Sequence, residues 1–207
     1  MIENIKPMDI ERRSFEIITE LLGDKKLEPE NELVIKRAIH TTADFDYADN
    51  LVFSPGAVKI GIEALKSGCN IVTDTQMAKS GINKTILSKL GGEVHCFMSD
   101  EDVAAEAKER GITRAIVSME KAARLEEKCI FAIGNAPTAL VALKKLMDEG
   151  KLRPALIIGV PVGFVNVVES KELIIASSVP HIVARGRKGG SNVAAAICNA
   201  LLYQITR

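Results

Sequence analysis

Tryptophan is absent from the 207 residues, and aromatic side chains make up only 4% of them. That argues against the stacking platforms on which single-stranded nucleic acids are held. An excess of charge is also missing, because 27 Lys and Arg balance 27 Asp and Glu. A general binder of nucleic acid or of membrane surfaces draws on a basic excess, so neither class is expected. No segment approaches the roughly 18 uninterrupted apolar residues of a membrane span. Cysteine is sparse: Cys69, Cys96, Cys129 and Cys198 are far apart, form no C-x-x-C and have no histidine at zinc spacing. Each sits in an apolar run, so they read as reduced core thiols rather than metal ligands or disulfides. The start, MIENIKPMDIERR, has no apolar stretch behind a basic one. No secretory leader is expected there, and the cytoplasm is the expected compartment.

What is present is an alternation of short β-branched runs with longer helical stretches. Asn70–Thr73, Glu93–Phe97, Lys128–Ile133, Ala155–Val160 and His181–Ala184 read as strands. They are nearly continuous in apolar residues, as in a parallel sheet covered by helices on both faces. Helices are expected over Pro55–Lys66, Ser99–Glu109, Ala136–Glu149 and Ser191–Ile205, with Ser54 as N-cap of the first. Two more, Asp9–Leu22 and Pro29–Thr41, precede the first strand. The expectation is an α/β fold: a single domain with a mostly parallel, doubly wound sheet of about five strands and an N-terminal helical pair. Residues 1–50 form the helical segment, as an addition to the domain or as a dimerisation arm, and residues 51–207 carry the β–α repeats.

Open parallel sheets bind ligands beyond the carboxyl ends of their strands. The loops DTQM (74–77), GNAPT (134–138), GVPVGF (159–164) and RGRKGGS (185–191) should therefore converge on one edge. RGRKGGS puts three cations and three glycines at a helix N-terminus, which suits an anion; equally, the glycines could merely let the chain turn. Neither G-x-x-x-x-G-K-[ST] nor a G-x-G-x-x-G after the first strand occurs, and no nucleophile elbow is present.

Only three histidines exist. His95, inside a strand, reads as a satisfied core residue, and His181, at a strand start, as structural. His40 ends a helix, where the dipole favours the imidazolium. Arg37 lies one turn earlier on the same face. The pair is either a surface cap or a proton donor beside an anion clamp. Asp44, Asp46 and Asp49 follow; they lack the glycine and glutamate of a calcium loop and read as solvated turn residues.

The strings RSFEII, RAIHTTADFDYA, FSPGAV, TDTQMAKSGI, GITRA, IGNAPTAL, GVPVGFVNVVESKE and RGRKGGSNVAAAICNAL run in order from Arg13 to Leu201. Together they resemble the precorrin-8X methylmutase (cobalt-precorrin-8 methylmutase) family. The resemblance implies an isomerase of cobalamin biosynthesis that moves a methyl group from carbon 11 to carbon 12 of a corrin precursor, giving hydrogenobyrinate or cobyrinate. It implies a cytoplasmic α/β homodimer acting on a tetrapyrrole, without nucleic acid, membrane or cofactor, any cobalt being carried by the substrate. It makes His40 the proton donor and acceptor. Ser14, Arg37 and Arg114 are implied as substrate contacts; Thr41, next to the histidine, and Arg13 and Arg187 are added to them as contact candidates from the residues themselves.

The residues agree with this. A substrate bearing acetate and propionate groups calls for local arginines, and Arg13, Arg37, Arg114, Arg185, Arg187 and Lys188 are available. Met77, Val162 and Phe164 would supply apolar walls for a flat ligand. Asn83 and Lys84 are weaker contact candidates. Two other readings compete: a non-catalytic tetrapyrrole carrier on the same fold, and an α/β enzyme that binds phosphate or nucleotide in RGRKGGS.

Overall fold

A computed structural model describes residue 6, residues 9–125 and residues 127–206. The chain begins with α1 (Ile10–Leu22), α2 (Glu32–Thr42), α3 (Tyr47–Asn50), β1 (Leu51–Phe53) and α4 (Ala57–Lys66). Next come β2 (Asn70–Thr73), α5 (Gln76–Gly81), α6 (Lys84–Lys89), β3 (Val94–His95), α7 (Glu101–Arg110) and α8 (Arg114–Ala122). The last part is β4 (Cys129–Ile133), α9 (Pro137–Asp148), β5 (Leu156–Gly159), α10 (Val167–Ile175), β6 (His181–Ala184) and α11 (Ser191–Thr206).

Neighbouring residues of the central strands pack into opposite layers. Ile71, Ile130, Leu156 and Ile182 join one apolar cluster with α2, α4 and α11. Val72, Phe131, Ile157 and Val183 join another with α8, α9 and α10. A strand alternates its side chains between faces, so a strand covered on both must be apolar throughout. That is the physical origin of the unbroken runs CIFAI and LIIG.

The sheet order is β1-β6-β5-β4-β2-β3. Five strands are parallel, and β1 pairs antiparallel with β6 through Leu51↔Ala184, Val52↔Val183 and Phe53↔Ile182. The expectation of about five strands therefore becomes six. The edge strand β1 spans only three residues and gives no periodicity to read. Strand β3 is also shorter than Glu93–Phe97, with ladder pairing confined to Val94 and His95.

Five helices, α3, α5, α6, α8 and α10, were not anticipated. Three of them carry side-chain N-caps: Thr75 accepts from the Ala78 N–H, Asn83 from Ile86 and Thr113 from Ile116. Ser54 does not cap α4. Gly56, at φ 68°, takes that place, and the Ser54 hydroxyl accepts the His181 N–H at 2.9 Å, tying β1 to β6. The N-terminal pair is part of the main core. Val34, Ala38 and Ile39 of α2 are buried in the same cluster as Ala194, Ile197 and Leu201 of α11. Among the described residues no helix is long and apolar enough to cross a membrane. The leader reading rests on residues 1–13, of which residues 1–5, 7 and 8 lie outside the described residues.

Candidate functional site

The chain passes from β2 to β3 on one side and then to β4 on the other, so the sheet's switch point lies between β2 and β4. In open α/β sheets that crevice is where phosphates are commonly held. Here a side chain fills it. Asp74, fully buried after β2, accepts N–H bonds from Gly134 at 2.8 Å, Asn135 at 2.8 Å and Ala136 at 2.6 Å, just ahead of α9. Burial pushes its carboxyl up, and the three N–H groups pull it back. The backbone donors a phosphate would need are thus already taken.

RGRKGGS is likewise committed. A Cβ on Gly189 would lie 2.1 Å from the Val160 carbonyl oxygen, so this glycine serves a close backbone crossing. Gly190 N–H donates to the same carbonyl at 2.9 Å. Arg185 pairs with Glu172 at 2.8 Å. Lys188 reaches Asp44 and Asp46, each at 2.6 Å. These aspartates are therefore ion-pair partners, not merely solvated turn residues, and Lys188 holds Asp44 below the usual carboxylate range. From beneath, buried Lys171 donates to the carbonyls of Gly186 and Lys188, both at 2.8 Å; burial pushes its ammonium down to about 8. Both sequence readings of this loop thus meet a segment held by packing and ion pairs.

The loops do converge. Thr75 and Ser191 share a hydroxyl–hydroxyl bond of 2.7 Å, and Gly163 N–H donates to the Arg187 carbonyl at 3.2 Å. Arg187 donates to the Phe164 carbonyl at 2.9 Å, its guanidinium 5.7 Å from that ring's centroid. Met77, Val162 and Phe164 are 70%, 47% and 82% exposed.

His40 sits in the last turn of α2, on the side of the sheet covered by α11. It is exposed, with its ring edge-on to Phe15 at 5.9 Å. With Arg37, Thr41, Asn192, Asn199 and Tyr203 it lines a cavity of about 290 Å³. The one-turn spacing that aligned Arg37 with His40 thus holds in three dimensions. Arg37 also lines an adjoining cavity of about 600 Å³ with Glu11, Phe15, Leu33 and Gln204. Its guanidinium lies 4.9 Å from the Phe15 centroid and 5.1 Å from that of Tyr203, and it is paired with Glu11.

The other candidates are spread more widely. Ser14, one turn along α1 from Glu11, donates to the Ile10 carbonyl at 2.9 Å, leaving its oxygen free to accept. Arg13 is engaged by Glu16 and Glu20. Arg114 is exposed at the start of α8, in the opposite helical layer, and lines neither cavity. Asn83 caps α6 while its N–H donates to Asn199 at 2.8 Å; Lys84 is exposed beside it. His95 stacks on Phe97 at 5.8 Å, and buried His181 bonds the Val179 carbonyl through Nδ1 at 2.9 Å. Sequence reasoning missed Glu11, Asn192 and Tyr203. No local signal points to Glu11, which meets Arg37 across 26 positions.

All four cysteines are buried, and burial pushes the thiols of Cys69, Cys129 and Cys198 up, to about 11, 12 and 12. Among the described residues no group of three or more His, Cys, Asp or Glu is placed to hold a metal ion.

Comparison with known proteins fits this arrangement. The family described as precorrin-8X methylmutase matches residues 9–204. A cobalt-precorrin-8 methylmutase of Priestia megaterium is 47% identical over 197 residues, covering 95% of this chain and 88% of that one. A precorrin-8X methylmutase of Pseudomonas aeruginosa is 41% identical over 194 residues, covering 93% of each. The crystal structure of a precorrin-8x methyl mutase from Thermus thermophilus superposes with a TM-score of 0.88 at 38% identity, covering 96% of this chain and 98% of that one. With nearly its whole length matched in sequence and in fold, the chain belongs to the precorrin-8X methylmutase family.

Proposed function

We propose that the chain is the isomerase of cobalamin biosynthesis that moves a methyl group from carbon 11 to carbon 12 of precorrin-8X or its cobalt form. His40 acts as proton donor and acceptor. The observation that carries this reading is the single exposed imidazole sharing a cavity with Arg37, on a chain whose residues 9–204 match the methylmutase family. Arg37 takes a substrate carboxylate, and Ser14 and Thr41 accept or donate hydrogen bonds beside it. Protonating the macrocycle draws electron density from the π system. The bond from carbon 11 to the methyl group then breaks as the bond to carbon 12 forms. A proton returns to His40, so the formula does not change. Nothing in this sequence of steps calls on a metal or cofactor held by the chain, and any cobalt enters as part of the substrate.

We assign the reaction to a cytoplasmic homodimer. Phe164 and Val165, 82% and 78% exposed, are apolar surface of the kind that a second copy or the macrocycle would cover. Arg13, Arg187 and Arg114 are the outer carboxylate contacts. Two of these cations are already engaged and would have to exchange or share their partners: Arg13 its glutamates, Arg187 the Phe164 carbonyl.

The test is incubation of purified protein with precorrin-8X and with its cobalt form, read by visible absorption and mass. Catalytic conversion to a product of altered spectrum and identical mass supports the isomerase. A spectral change that saturates at stoichiometric protein and reverses on denaturation would replace it with the carrier.

A further inference from the structure

Arg37 and Tyr203 line both of the adjoining cavities, and an internal anion already holds the arginine. Glu11, on the first turn of α1, pairs with its Nη2. The guanidinium side chain is only 13% exposed, and its Nε is buried without a partner among the described residues. Its position does not depend on Glu11 alone, because it also lies against the rings of Phe15 and Tyr203. Glu11 itself faces the larger cavity, with 31% of its side chain exposed.

We propose that Glu11 is a specificity-determining residue that competes with ligand carboxylates for Arg37 and thereby weakens the hold on carboxylated corrinoids. The inference rests on the proposed corrinoid substrate. Two effects act in the same direction. A carboxylate approaching Arg37 must displace or share the Glu11 bond, since a guanidinium offers its strongest geometry to one carboxylate at a time. It also meets the Glu11 charge at short range in a partly buried cavity, where repulsion is screened less than in water. Substituting the amide leaves Arg37 against its two rings with its charge uncompensated. The site then favours any carboxylated ligand, whether substrate or product.

The experiment compares wild type, Glu11→Gln and Glu11→Ala in titrations with hydrogenobyrinate, followed by absorbance at low and high salt. Both variants are expected to bind about tenfold more tightly at low ionic strength, the gain shrinking as salt screens the charge. Corrin whose side-chain carboxylates have been converted to amides should bind all three proteins alike. Equal or weaker binding of hydrogenobyrinate by both variants would overturn the proposal, and weaker binding would make Glu11 a support for Arg37. An equal gain with the amidated corrin would also overturn it, since the effect would then not be competition between carboxylates. If wild type and both variants bind no corrinoid at all, the functional reading fails along with the inference. Wild-type binding without a gain in the variants defeats the inference alone.

Discussion

Lys188 Nζ lies 2.6 Å from the carboxylate of Asp44, across 144 residues of chain. With its second bond, to Asp46, it ties the turn that leaves His40 to the glycine-rich loop ahead of α11. His40 projects from the helix whose end this pair anchors. The imidazole's place relative to α11 thus depends on an ion pair as well as on the burial of Ile39 beside it.

Replacing Lys188 by methionine should release that tether. Lys188 is what holds the Asp44 carboxyl below its ordinary 3.8. A depressed native value means the pair contributes stability above the ordinary carboxylate range, and that contribution is lost as pH falls through the native value. In Lys188→Met the Asp44 carboxyl should move upward towards 3.8, and acid unfolding should lose this component. NMR titration of the Asp44 side chain in both proteins checks the direction. An unchanged titration would show that the pair does not persist in solution.

Asp74→Asn should destabilise the fold more than any surface substitution. The carboxylate accepts three N–H bonds in a site closed to solvent. An amide has a single accepting oxygen and turns its NH2 towards donors. Leaving buried N–H groups unpaired costs roughly 1–3 kcal/mol each, so a loss of about 2–4 kcal/mol is expected in urea unfolding.

Lys171 gives stability a distinctive alkaline slope. Its folded value is pushed down to about 8 from 10.5. Between those values the unfolded chain binds the extra proton, so native stability rises with pH across that window. Lys171→Met lacks the group. The stability of wild type relative to this variant should therefore increase from pH 8 to pH 10.5, as read by denaturant midpoints. A difference that stays flat or falls would mean the ammonium is not desolvated as its burial implies.

Much of the architecture is legible because it follows from periodicity. Asn70–Thr73 and His181–Ala184 are strands over those same residues, since two-sided burial demands unbroken apolar runs. Helical geometry alone puts Arg37 and His40 on one face. The short elements were less visible. A three-residue edge strand has no period, and α5 and α6 span six residues each, so their caps, Thr75 and Asn83, were the available signals. The charge pairing was not legible at all. Whether Arg37, Arg185 or Lys188 is free or committed depends on partners 26, 13 and 144 positions away, a property of the folded chain alone.

The central claim is that the His40 imidazole supplies the proton for methyl migration and contributes little to holding the macrocycle. Its most direct test is His40→Ala, measured for binding by absorbance titration and for turnover in the same preparation. The account predicts a dissociation constant near that of wild type and a rate lower by at least about 10²-fold, as for removal of a general acid–base group. Turnover at the wild-type rate in His40→Ala would contradict it.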